Sequence, residues 1–399
     1  MKLGLVLTAG GARGAYQAGV LKRIGEIRHL RAKPSPFSII TGASAGAING
    51  AALASQHHHL ELGCQHIAHL WGEIQFEDVF RSDPLSLLKR SAIWLYDLSL
   101  GGIVGGGRAQ SLLDFSPLRT YLHRNLNLDR ISAFIESGQL HALGISATDY
   151  YSGKSFTFIQ GQSGHAQWSK SRRTSLSVHL GIDHIWASCS IPVIFQPVLV
   201  ETPLGAFYFG DGALRLVSPL SPAIRLGAER ILAIGIRCQN SFEKRLRPSL
   251  LDESETSLTM RPPPLSQIFG TTLNTIFLDH LDSDVEHLMR MNQLTQVLNN
   301  NPPSFKTMDE PIKLIHPLVL QPSVDLAEIA KDQSRKLPFL LRYLLEGLGS
   351  SQCPSADLMS YIFFHPSYTQ SLIEVGYKDA HARIDEIEAF LLDPFSKQS

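Results

Sequence analysis

Leu3 to Leu7 is a short apolar run without a charge, the pattern of a parallel strand buried on both faces. It runs into a glycine-rich turn, after which Val20, Ile24 and Ile27 recur at helical spacing. A second run, Phe37 to Ile40, leads into another glycine-rich turn. The helix expected after it is built of small residues (Ala45, Ala47, Ala51, Ala52, Ala54) and can lie close against a sheet. Leu140 to Thr148, Ser155 to Ile159, Ala206 to Phe209 and Ile231 to Ile236 are further strand candidates. Strands alternating with helices predict a three-layer α/β/α fold around a mostly parallel central sheet.

Phe242 to Pro264 is polar, charged and ends in prolines, which reads as a linker. From Leu265 a strong helical pattern through Ile268, Phe269, Leu273, Ile276, Phe277, Leu281, Val285 and Leu288 stops at Asn299–Pro303. Ile312 to Ile315 looks like one more strand returning to the main sheet, and the chain from about Leu337 is amphipathic helix. The expected division is an α/β domain over 1–238, a linker and long helix over 239–310, and a returning strand with an added C-terminal helical region over 311–399.

Charge narrows the function. Lys plus Arg number 36 and Asp plus Glu 36, so the chain lacks the basic excess that nucleic-acid binding requires. Charged residues make up 18%, below the roughly 25% usual for soluble domains, which favours a greasy substrate or a membrane face. Cys64, Cys189, Cys238 and Cys353 form no short-spaced pair and read as reduced thiols. The apolar start is too short for a secretory signal, and Ala92 to Val104, interrupted by Asp97 and Ser99, is too short to span a bilayer. The expected location is cytoplasmic or peripheral to a membrane, with signal-less export also open.

Four segments carry candidate chemistry. Gly42 to Gly46 (GASAG) sits between a predicted strand and helix, where a sharp turn presents a serine hydroxyl and the helix N-terminus favours negative charge, so Ser44 is a candidate nucleophile. An ordinary turn with a capping serine is the alternative. Gly10, Gly11, Ala12, Arg13 and Gly14 form a loop whose backbone N–H groups suit a phosphate or an acyl-transfer oxyanion. A dinucleotide fingerprint is excluded because Ala9 occupies its first glycine position and no carboxylate ends the second strand. A Walker loop is excluded because no Gly-Lys-Ser/Thr follows. An oxyanion hole needs a nucleophile on a neighbouring strand, which Ser44 supplies.

The third segment is GDGA, residues 210–213, with Asp211 followed by Gly212 and Ala213. Asp-Gly is a common turn dipeptide. However, none of the downstream histidines that could complete a triad, His184, His280, His287, His316 and His365, lies in a glycine-bracketed strand-end loop. An aspartate can itself act as general base when near the hydroxyl and partly desolvated. The fourth, ASCSIPVIFQPV over 187–198, reads as a proline-fixed wall lining a cleft.

TAGGARGAYQAGVL (8–21), TGASAGAING (41–50), ASCSIPVIFQPV and GDGA, in that order, resemble the four signature blocks of the patatin-like phospholipases. LLDFSPLRTYL (112–122) and ALGISATDYYSGKSFTF (142–158) also look like bacterial members of that family. The resemblance implies an α/β fold and a Ser-Asp dyad that hydrolyses lipid acyl esters without metal or other cofactor. Carried over residue by residue, Ser44 would be the nucleophile and Asp211 its base. The amides of Gly10 and Gly11, with Arg13 beside them, would form the oxyanion hole, and Gly14, Gly42, Gly46, Gly212 and Ala213 would complete the motifs. The family usually has a glycine where this chain has Ala9: harmless if the residue is extended, strained by roughly 1–2 kcal/mol if φ is positive. The implied partners are a phospholipid or lysophospholipid substrate and a membrane surface; the long helical C-terminal part, read on its own, could bind a protein activator.

Two readings of other classes remain: a Ser-His-Asp esterase for soluble esters, and a vestigial or partner-gated lipid-binding protein. His57, His58 and His59, with His66 and His69 beyond, lack a partner set at metal-ligand spacing and read as a solvated helix end. Trp94, Leu95, Tyr96, Leu98 and Leu100 before GGIVGGG are either a lid over the cleft or a buried helix. Arg13 is either a phosphate contact or a brace.

Overall fold

A computed structural model describes residues 1–81, 83, 92–93, 96–97, 99, 111–238, 265–277, 280–300, 313–339, 342 and 356–392 of the 399. The candidate lid, apart from Tyr96 and the described neighbours 92, 93, 97 and 99, and the linker over 242–264 lie outside them.

Among the described residues nine strands form one sheet: β1 (Leu3–Leu7), β2 (Ile39–Ala43), β3 (Ala142–Asp149), β4 (Ser155–Gly161), β5 (Arg173–Ser177), β6 (Val198–Thr202), β7 (Gly205–Asp211), β8 (Arg230–Ile234) and β9 (His316–Leu320). The main path runs β5-β4-β3-β2-β1-β8-β9, with β7 pairing to β3 and β6 to β7. β1 pairs in parallel with β2 and with β8, so its apolar run is buried throughout. Side chains alternate between faces: Leu5 and Leu7 join the larger core, while Val6 packs with Ile39, Leu220 and Ile231 on the other face. Helices on both faces make the three-layer α/β/α architecture that the alternation predicted.

On the larger face lie α1 (Ala15–Gly25), α2 (Ala45–Ser55) and α3 (Leu60–Glu73). Between β5 and β6 a short helix, α4 (Ile182–Ser188), packs against β3, β6 and β7. Over the predicted long helix the described residues form α5 (Leu265–Phe277) and α6 (His280–Asn300), with residues 278–279 not among them. α7 (Ala356–Ile362) and α8 (Pro366–Ala382) bring the C-terminal part back onto α1 and α3, where Tyr377 Oη donates to Glu26 at 2.7 Å. The returning strand does join the sheet, next to β8 and parallel to it. It is His316–Leu320; of the expected Ile312–Ile315, residue 312 lies outside the described residues and Ile315 stays off the ladder, because the Asn292 amide takes both its backbone groups, donating to its carbonyl at 2.6 Å and accepting from its N–H at 3.1 Å.

The histidine run is not simply solvated. His57 is fully buried, with Nε2 3.1 Å from the Phe37 carbonyl, and burial holds its pKa below the usual imidazole value. His58 stacks on Phe134 at 5.7 Å, and His59 accepts from the Leu62 N–H at the start of α3. Among the described residues no three His, Cys, Asp or Glu side chains converge as a metal set, and no helix is long and apolar enough to cross a membrane.

Candidate active site

The sheet register brings Ser44 and Asp211 together. β2 runs parallel to β3 and its last rung is Ala43 opposite Ser146. β7 runs antiparallel along the same strand, and the next rung is Ala147 opposite Asp211. Two strand ends therefore meet head-on on consecutive rungs of β3, with Ser44 leaving one and Asp211 closing the other.

At the turn out of β2, Ser44 has φ 53° and ψ −124°, a conformation that L residues rarely adopt. The turn is tight: a Cβ on Gly42 would lie 2.2 Å from the Gly46 carbonyl oxygen, and one on Gly46 2.1 Å from that of Leu7. Only bare backbone passes there. Ser44 is 2% exposed. Its N–H donates to Ser188 Oγ at 2.9 Å, and Ser188 in turn donates to the Ser146 carbonyl at 2.6 Å. Cys189 Sγ donates to the Ser44 carbonyl at 3.4 Å, while the Ser190 carbonyl accepts the Asp211 N–H at 2.8 Å. The 187–198 segment is thus more than a cleft wall: consecutive residues grip the backbones of both Ser44 and Asp211. Sequence reading missed this role of Ser188 and Ser190. The only signal was the small polar residues packed beside a proline.

Asp211 is wholly buried. Its Oδ1 accepts from the Ala213 N–H at 2.9 Å, and Thr148 donates to its carbonyl at 2.8 Å. Burial pushes the carboxyl up to about 7, partly offset by the Ser44 hydroxyl and then by the Ala213 N–H. The hydroxyl lies within electrostatic reach without a well-aligned hydrogen bond, since Oδ2 is buried and without such a partner. Unaligned catalytic hydrogen bonds are common in unliganded sites. No histidine is hydrogen-bonded to Ser44 or Asp211 among the described residues; His184, the buried one nearest in sequence to this segment, packs on Phe158 at 4.7 Å and accepts from the Gly181 N–H.

The glycine loop abuts this pair through Gly14, whose added Cβ would lie 2.4 Å from that of Ala45. Gly11 to Gly14 form one 3₁₀ turn. No backbone acceptor takes the N–H groups of Gly10, Gly11 or Ala12 among the described residues. Arg13 does not join them: its N–H donates to the Gly10 carbonyl at 3.1 Å. Its guanidinium turns away, donating to Ser360 Oγ at 2.8 Å and Asp357 Oδ1 at 3.3 Å and lying 4.3 Å from the Tyr361 ring centre. Arg13 is a brace onto α7, not a phosphate contact. Ala9 does not have positive φ, so its methyl brings no left-handed strain. Behind the loop, a buried chain unseen in the sequence ties three helices to β1. Trp71 Nε1 donates to Asn49 Oδ1, Asn49 donates to the Gly14 carbonyl and Gln17 Oε1, and Gln17 donates to the Thr8 carbonyl.

Gly11 has φ +54°, and a Cβ there would stand 2.3 Å from the Tyr361 carbonyl oxygen. Gly11→Ala therefore combines left-handed strain with a backbone clash and should lower stability by about 2–4 kcal/mol. Thermal unfolding reads this directly; an unchanged midpoint would mean the loop is not held against α7.

A narrow cleft of about 30 Å³ touches Ala9, Ala43 and Ala213 and is roofed by Ile276 of α5 and by His280 and Leu281 of α6. It has room for about one or two waters, not for an acyl chain.

A match to the patatin-like phospholipase family model spans residues 5–224, more than half of the chain, and the protein belongs to that family. No curated protein sequence matches significantly. Among solved structures, the chain is similar to VipD from Legionella pneumophila, with 13% identity and a TM-score of 0.31 over 94% of this chain and 67% of that one. Human GIVD cytosolic phospholipase A2, in complex with methyl gamma-linolenyl fluorophosphonate, is similar at 12% identity and a TM-score of 0.39, over 98% of this chain and 59% of that one. The type III effector ExoU is similar at 13% identity, with a TM-score of 0.28 over 90% of this chain and 77% of that one. The chain thus spans about three-fifths of the human enzyme's length and two-thirds of VipD's.

Proposed function

We propose that the protein is a lipid acyl hydrolase of the phospholipase A or lysophospholipase type, working through an acyl-serine. The observation that carries this is that β2 and β7 end on consecutive rungs of β3, so that Ser44, one residue past the last β2 rung, meets the buried Asp211, whose carboxyl burial pushes up to about 7. Ser44 Oγ attacks the ester carbonyl as its proton passes to Asp211 Oδ2. The amides of Gly10 and Gly11 receive the oxyanion. Collapse breaks the ester C–O bond, and the proton goes from Asp211 to the leaving alcohol. Water, deprotonated by the same carboxylate, then releases the fatty acid and restores Ser44. Residues 1–238 are the catalytic domain in this reading, and the helices that follow cover and brace it.

The burial of both Ser44 and Asp211 favours a gated enzyme over a constitutively open one. An ester reaches Ser44 only after a local rearrangement, which a lipid surface or a protein activator could drive. Fluorophosphonate labelling, located by peptide mass analysis, tests both parts. Ser44 should be labelled slowly in buffer and at least tenfold faster with phospholipid vesicles or a cell extract. Labelling elsewhere, or none under any condition, overturns the assignment.

A further inference from the structure

The β6–β7 hairpin breaks the usual rule that the solvent face of an antiparallel pair is polar. Its outward positions include the cross-strand pair Leu199 and Tyr208, 51% and 41% exposed. The loop between the strands adds Leu204 at 63%, and Tyr151, 77% exposed, sets its ring 6.4 Å from that of Tyr208. Glu201, opposite Ala206, also faces outward.

Beside this apolar patch lies a basic cavity. Arg215 Nε donates to the Gly153 carbonyl at 2.9 Å, which ties it to the same β3–β4 turn that carries Tyr151. Arg215 is one of five cations lining a cavity of about 430 Å³, with Lys170, Arg172, Arg173 and Arg225; among the described residues no acidic side chain lines it, although Asp284 nearby attracts Arg173. In a chain whose net charge is zero, that is a marked local asymmetry. Tyr208 precedes Asp211 by three residues, about 10 Å along β7.

Resting on the lipid-hydrolase reading, we propose that the β6–β7 hairpin, the Tyr151 turn and the adjoining basic cavity form the face that docks on an anionic phospholipid bilayer. Exposed tyrosines and leucines enter the interface, and the cations meet lipid phosphates, each near-surface cation being worth about fivefold in partition. β7 then connects the membrane face directly to the candidate base.

The test uses full-length protein carrying Ser44→Ala, so that no hydrolysis disturbs the vesicles, and co-sedimentation with phosphatidylcholine vesicles with or without 30 mol% phosphatidylglycerol (a composition chosen to give about a −30 mV surface). Binding should require the anionic lipid and weaken strongly at about 0.5 M salt. Leu199→Asp with Leu204→Asp, and separately Lys170→Glu with Arg172→Glu, should each lower partition by about tenfold or more. In the Ser44 background the same pairs should leave turnover of a water-soluble short-chain ester within about twofold. Wild-type partition in both double variants overturns the proposal, as does failure to bind anionic vesicles. A dimer dissociated by the leucine changes, seen by light scattering, assigns the patch to a second copy and also overturns it. Lost vesicle binding with normal soluble-ester turnover counts against the docking face alone; intact binding with no turnover of any ester counts against the hydrolase reading alone.

Discussion

Ser44→Ala is expected to reduce ester turnover by about 10⁴-fold or more, the scale seen when a serine hydrolase loses its nucleophile. The fold should survive, because only a hydroxyl is removed and the Ser188 contact to the backbone N–H is unaffected. Stability supplies an independent readout. At φ 53° and ψ −124° any side chain is strained, by roughly 1–3 kcal/mol. Glycine relieves that strain and forfeits about 0.5–1 kcal/mol of it to the greater freedom of the unfolded chain. Ser44→Gly should therefore be equally inactive yet more stable than Ser44→Ala by about 1 kcal/mol. Measuring esterase rate and thermal midpoint for both variants checks the pair of claims. Appreciable turnover by either one would remove Ser44 from the mechanism. A less stable glycine variant would mean that the turn is not the strained element described.

The order of blocks, the fold class and the strand bearing each candidate residue were legible because they depend on local pattern. β1 is found where its apolar run stands, and the two glycine-rich turns sit at strand ends as their composition demands. What escaped depends on distant partners. β5 is a partly exposed edge strand whose Arg-Thr-Ser-Leu-Ser sequence has no apolar run to reveal it. β6 hid behind Pro197, at the end of a segment read as an irregular wall. The brace on Arg13 comes from Ser360, 347 positions later, and no spacing rule can anticipate that. The same holds for Ser188, whose hydroxyl links two strands across 144 and 42 positions. The turns are written in the sequence; the clasps that hold two turns together are written only in the fold.

Asp211 yields the second large effect, in which activity and stability move in opposite directions. Asp211→Asn cannot accept the Ser44 proton and should cost about 10³-fold or more in kcat/KM, general-base loss contributing 10²–10⁴. For the unmodified enzyme, kcat/KM should rise with pH through about 7 as the buried carboxyl ionises, then level off. The folded carboxyl titrates about three pH units above its ordinary 3.8, so the native state binds more protons than the unfolded chain between these values. Stability consequently falls as pH rises from about 4 to about 7, and the whole penalty, on the order of 4 kcal/mol, persists above that. Asparagine carries no such charge, keeps an oxygen for the Ala213 N–H and offers the Ser44 oxygen a donor. Asp211→Asn should then unfold several degrees above the unmodified protein at pH 8, with the gap closing as pH falls toward 4. Denaturation curves at pH 8, 6 and 4.5, beside a pH–rate profile on a soluble ester, decide it. An inactive variant that is no more stable at pH 8 would mean that the carboxylate is better solvated than its burial implies. A flat profile through neutrality would remove Asp211 as the base.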